Sequence, residues 1–146
     1  AALGVAYIRS AAPGALECIA ALRAAEVRVV IVSGGLRQGL LPLARHLGVA
    51  ADDVHAVEIR FDEQGEYAGL AGPQPLATQT GKPEVVRGLG LASPALAVGD
   101  GATDAAMRSE VAAFAAYIGY VRRAAIVAQA DHVLNSFDEL RTLVLP

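Results

Sequence analysis

Apolar residues recur along this chain in two rhythms, and the switches between them lay out its elements. Leu16, Ile19, Ala20 and Leu22 fall at helical spacing, predicting a helix through Ala25 with Pro13 in its first turn. A β-branched run over 27–32 reads as a strand buried on both faces, and it ends in Ser33-Gly34-Gly35. Helical spacing returns over 37–47 and stops at Gly48, with Pro42 predicting a kink or a break. From His55 the rhythm becomes alternation, with His55, Val57, Ile59 and Phe61 on one face and Ala56, Glu58 and Arg60 on the other. Turn residues at 62–65 and a return over 66–70 complete the pattern of a β-hairpin. A Pro-, Gly- and Thr-rich loop over 72–81 leads into a helix that Lys82-Pro83 opens. Residues 95–98 form a short apolar strand, followed by a glycine-punctuated turn and a helix start. Short strands at 115–118 and 132–134, a helix near 123–130 between them, and a last helix over 137–143 finish the chain. Residues 1–8 are apolar but do not discriminate among strand, helix end and linker.

Strands alternating with helices predict an α/β domain: a mostly parallel sheet with helices on both faces, plus the hairpin insertion. With 146 residues, one domain is the natural count. The 54% hydrophobic content, much of it alanine, suits helices packed closely on a sheet. Net charge is −3 and the largest basic cluster is the pair Arg122-Arg123, which argues against a nucleic-acid footprint. The single cysteine, Cys18, excludes an internal disulfide, fits a reducing compartment and sits in a helical apolar pattern as a buried thiol. No uncharged run reaches the length of a membrane-spanning helix, and no signal sequence is visible, so the expectation is a cytoplasmic protein without a membrane partner. The chain starts at alanine, which processing or excision from a longer protein would explain equally well.

The chemistry gathers at element ends. Asp100 follows the 95–98 strand, where ligands of open α/β sheets bind. Asp104 lies four residues on, and one helical step would bring both carboxylates to one mouth. Paired carboxylates are hard oxygen donors of the kind Mg2+ prefers; the alternative is a corner in which Asp104 only caps a helix. Ser33-Gly34-Gly35, between strand and helix, offers a hydroxyl and free amides to an anion, or is a common turn. Lys82 stands at a helix start, which disfavours a cation unless something negative is near; otherwise it is an exposed loop lysine. His46, His55 and His132 have no metal or triad spacing, and Tyr67, Tyr117 and Tyr120 read as packing residues.

In their order and setting, the stretches VIVSGGLR (30–37), FDEQGEYAG (61–69), GKPEVV (81–86) and VGDGATD (98–104) resemble the haloacid dehalogenase-like phosphohydrolases, and among them the phosphoserine phosphatases. The likeness runs from about Pro13 to Leu143. It implies a Rossmann-type three-layer sandwich, Mg2+ as cofactor and a small phosphorylated metabolite as partner. Ser33 with the Gly34 and Gly35 amides would hold the phosphoryl group, and Thr103 would touch the substrate. Lys82 would pair with phosphate oxygens and the nucleophile. Asp100 would ligate Mg2+, and Asp104 would orient Lys82 or a metal-bound water. The reaction implied is O-phosphoserine to serine plus phosphate, a step in serine biosynthesis, through a phospho-aspartyl intermediate.

The sequence departs from the family pattern in one large respect. The family's nucleophile and general acid come from an Asp-x-Asp-x-Thr motif on a first, central strand, and no Asp-x-Asp occurs here. The cap that reads the serine moiety is absent as well. The expectation is therefore the carboxyl-terminal part of a longer chain, with a gap or re-paired strands where the missing strand belongs. Val57-Glu58 in place of a usual Asn-Arg, and the shortened loop 118–121, bear on substrate choice. Rival readings are a related phosphatase with another small substrate, an inactive phosphate- or metal-binding remnant, and a nucleotide-binding α/β domain. The lack of a Gly-x-Gly-x-x-Gly loop weighs against the last. Oligomeric state is not legible.

Overall fold

A computed structural model describes residues 2–146. Helix α1 (Ala2–Arg9) resolves the undecided apolar start, Ala1 lying outside the described residues. Helix α2 (Ala15–Ala24) begins after Gly14, whose φ of 80° makes the turn, so Pro13 precedes the helix instead of opening it. Strand β1 (Ile31–Leu36) starts four residues later than its β-branched run predicts. Residues 27–30 lie outside any helix or ladder, and Ser33-Gly34-Gly35 belong to the strand's last residues. Helix α3 (Arg37–Leu47) is capped by Gly48 in the left-handed region, as expected, but runs unbroken through Pro42. The prolyl ring lies against Gly4 of α1, where any side chain would collide with it.

The predicted long hairpin is two structures. Strand β2 (Val54–Val57) runs parallel to β1, with Val32 opposite His55; only β3 (Ile59–Phe61) pairs antiparallel with β4 (Tyr67–Leu70). Glu58 is the switch between the two sheets, and Ala56 and Val57 are both buried, so β2 has no polar face there. A 3-10 turn at Pro75–Ala77 precedes α4 (Gly81–Gly88). Then come β5 (Leu96–Gly99), α5 (Ala102–Ala105), a 3-10 turn at Ala106–Glu110 and β6 (Ala113–Tyr117). A short α6 (Ala124–Val127), β7 (His132–Leu134) and α7 (Phe137–Val144) end the chain.

The expected single sheet is split. Strands β5, β6 and β7 form one parallel sheet and β1 with β2 another, and no ladder joins β1 to β5 among the described residues. The two halves share their packing nonetheless. Val32 of β1 lies against the cluster of Val86, Ala97, Met107 and Phe114, while Val29 packs with both the α3 cluster and the Cys18, Leu22, Ala115 and Leu134 cluster. The centre is β6, where Phe114 and Ala115 are fully buried. Cys18 is buried as predicted. Tyr67 and Tyr120, read from sequence as packing residues, are mostly exposed.

Candidate active site

The turn after β5 is built around one carboxylate. Asp104 Oδ2 accepts the amides of Asp100 and Gly101, both at 3.1 Å, and the Asp104 amide returns a bond to the Gly101 carbonyl. This is a helix cap, satisfying donors that a helix start leaves open. Its other oxygen, Oδ1, accepts Lys82 Nζ at 2.6 Å, with both side chains about 15% exposed. Capping and the lysine contact therefore coexist: one carboxylate shapes the turn and supplies the negative charge that Lys82 needs at its helix start. A Cβ at residue 99 would overlap this carboxylate, so the turn requires Gly99.

Lys82 is not the exposed loop lysine of the alternative reading. Its neighbour Gly81 presses so closely on the Pro75 backbone that no side chain fits, and the Leu76 carbonyl comes within contact distance of the Cβ position of Gly34. Through these contacts α4 links the β1 end to the β5 turn. At the β1 end, Ser33 Oγ accepts the Gly35 amide at 3.0 Å, so one of the three groups expected to meet an anion is turned inward. Gly34 is exposed, and Thr103 is half-buried on α5.

Asp100 has the freest carboxylate of the set. Its side chain is 46% exposed, it accepts no hydrogen bond among the described residues, and the cation beside it is Arg123 Nη1, 3.7 Å from Oδ2. Arg123 also donates to the Asp100 main-chain carbonyl at 2.8 Å. No cluster of three or more His, Cys, Asp or Glu side chains gathers among the described residues, and both oxygens of Asp104 already serve protein donors. This donor set fits an ion content with one carboxylate, waters and substrate oxygens, as Mg2+ is, and not a dedicated all-protein cage.

Four residues at this end were not site candidates from the sequence. Arg123 stands out in sequence only as half of a basic pair. Tyr120 donates its hydroxyl to the Ser10 carbonyl at 3.1 Å, tying the loop after β6 to the turn between α1 and α2. Tyr117 meets Tyr120 edge to face, and burial pushes its phenol above the usual value. Tyr7 of α1 lies over Gly39 and reaches the Gly35 turn. The contacts of Arg123, Tyr120 with Ser10, and Tyr7 join segments remote in sequence, which periodicity does not encode. A surface hollow of ≈ 560 Å³ beside β7 and α7 contains none of the candidate residues.

The sequence pattern of the haloacid dehalogenase-like hydrolases matches residues 1–109. The chain belongs to that family. As a family member it is 33% identical over 133 residues to the chloroplastic phosphoserine phosphatase of Arabidopsis thaliana, covering 88% of this chain and 45% of the relative. It is 33% identical over 131 residues to the phosphoserine phosphatase of Homo sapiens, covering 88% and 58%. This member of the family thus spans about half the length of the curated relatives it matches. A phosphoserine phosphohydrolase-like protein from Francisella tularensis has the same fold, with a TM-score of 0.80 at 23% identity over 92% of this chain and 63% of that one. No helix among the described residues is long and apolar enough to cross a membrane.

Proposed function

We propose that these residues form most of the phosphate- and metal-binding half of a phosphomonoesterase, with O-phosphoserine as substrate. The observation that carries the reading is the Lys82–Asp104 contact of 2.6 Å, fixed to the same turn that presents Asp100. It sets an ammonium, held by one carboxylate, beside a second carboxylate free to meet a cation. Ser33 and the Gly34 amide would receive the phosphoryl oxygens, Lys82 would neutralise charge on them and on the nucleophile, and Thr103 would flank the substrate. Asp104 would keep Lys82 aimed. Asp100 would hold Mg2+, which supplies Lewis-acid stabilisation of the charge that spreads over the phosphoryl oxygens.

In this reading the attacking group is an aspartate outside these residues. Its carboxylate displaces the serine alkoxide, which takes a proton, and water then cleaves the aspartyl phosphate. The separate β1 and β5 edges support this, because each strand ladders with other neighbours only and leaves its remaining edge unpaired among the described residues. A second reading, an inactive phosphate- or metal-binding remnant, is favoured by the lack of any Asp-x-Asp in the 146 residues.

The test is turnover of phosphoserine by the natural full-length protein with and without Mg2+. Hydrolysis that requires the metal and falls at least a hundredfold in Asp100→Asn is expected. Unchanged turnover in that variant would remove the metal role of Asp100. Binding of Mg2+ and phosphate without turnover would establish the remnant.

A further inference from the structure

We propose that Tyr7 is a phosphoryl-binding residue, its hydroxyl donating to the anion held at the Ser33–Gly35 turn. The inference rests on the reading of that turn as an anion site and adds to it a donor from α1. Three observations converge on it. The Tyr7 ring packs on α3 where Gly39 has no side chain, a Cβ there lying 3.2 Å from the ring, so the ring's position is set by close packing. Its hydroxyl then reaches the Gly35 turn: the vacant Cβ position of Gly35 is 3.8 Å from Tyr7 Oη and 3.3 Å from Ser33 Oγ. Two hydroxyl oxygens thus flank one small gap that any residue larger than glycine would fill. Finally, the Tyr7 hydroxyl makes no hydrogen bond among the described residues, although the residue is half-buried.

A phenolic hydroxyl suits this place. It is a donor without a charge of its own, so it adds to the binding of an anion without competing with Lys82 for Asp104. The ring is anchored by packing, so little side-chain freedom remains to be lost when the hydroxyl engages a ligand. Helix α1 is held at both ends of its span, by Gly4 against Pro42 and, just beyond its last turn, by the Tyr120 hydroxyl on the Ser10 carbonyl. It therefore forms a fixed wall beside the end of β1.

The test uses inorganic phosphate as probe and the natural full-length protein labelled with ring-13C tyrosine. Tyr7→Phe keeps the ring over Gly39 and removes only the oxygen, so its thermal unfolding should match the parent. One tyrosine resonance, missing from the Tyr7→Phe spectrum, is expected to move as phosphate is added. The phosphate Kd should rise about tenfold in Tyr7→Phe, as for loss of one hydrogen bond to a charged group. A resonance that stays still, or a Kd within twofold of the parent, overturns the inference. Ser33→Ala separates the two levels. Weakened binding there with no effect of Tyr7→Phe leaves the turn as the anion site and removes Tyr7 alone. Full binding in Ser33→Ala overturns the reading of the turn, and the inference with it.

Discussion

At the scale of single residues, Asp104 has the most to lose. It serves three donors with two oxygens, and the partners would be hurt unequally by its removal. Asp104→Ala leaves two turn amides and a largely buried ammonium unpaired, a loss of the kind that costs about 3–5 kcal/mol. Lys82→Met keeps the aliphatic stem and leaves Asp104 still bonded to two amides, so its cost should be clearly smaller. Denaturant unfolding of the two variants checks that order, while turnover in the full-length protein should fall by orders of magnitude in both. Equal stability losses would mean that the turn does not depend on the carboxylate. Ser33, Lys82, Asp100 and Asp104 could be picked out as candidates from the sequence because each stands at the end of an element that a hydrophobic rhythm outlines. Arg123, Tyr120 and Tyr7 could not. The first two stand on an irregular loop and the third in a segment of undecided structure, and their partners are 23, 110 and 28 residues away, the last being Gly35.

Elements show where rhythm stops informing. Helix α3 matched its forecast limits because Gly48 gives an unambiguous stop; of the kink or break expected at Pro42 there is no break, and the ring fits against α1 where Gly4 has no side chain. Alternation from His55 to Phe61 did not carry into burial, since Ala56 and Val57 are both buried and Arg60 and Phe61 both exposed; a two-residue period also does not tell which sheet a strand joins, and the chain changes sheets at Glu58. The β-branched run over 27–32 marked neither full burial, since none of its residues is buried, nor the start of the ladder, which is displaced toward Leu36. The segment between α6 and β7 supplies a pH test. Asp131 is bound by Arg108 through both oxygens and accepts the Phe114 amide, and these bonds lower its pKa from 3.8 to about 2. A carboxyl depressed in the folded state stabilises it above the unfolded pKa, and that contribution disappears as pH falls from about 4 toward 2. Denaturation midpoints measured across that window should drop more steeply in the parent than in Asp131→Asn. Parallel curves would deny the linkage.

Across the whole molecule, the parallel α/β architecture was legible, and the separation of its sheet was foreseen only as one of two outcomes. Ile31, Val32, Leu96 and Val98 are apolar yet only half-buried, the price of two strand edges without partners. β6 is laddered on both sides and contains the least accessible residues. Native-state hydrogen exchange on this chain should therefore find its slowest amides on β6 and markedly faster ones on β1 and β2. Uniform protection across all five parallel strands would contradict a divided sheet. The bond from Tyr120 to Ser10 has a further implication, for the order in which the molecule is made. Synthesis delivers the α1–α2 turn 110 residues ahead of the tyrosine that secures it, and the serine turn, the lysine and both aspartates all emerge in between. On the ribosome these four candidate side chains exist before the bond that secures the turn, so a nascent chain stalled short of β6 would hold them without that tie.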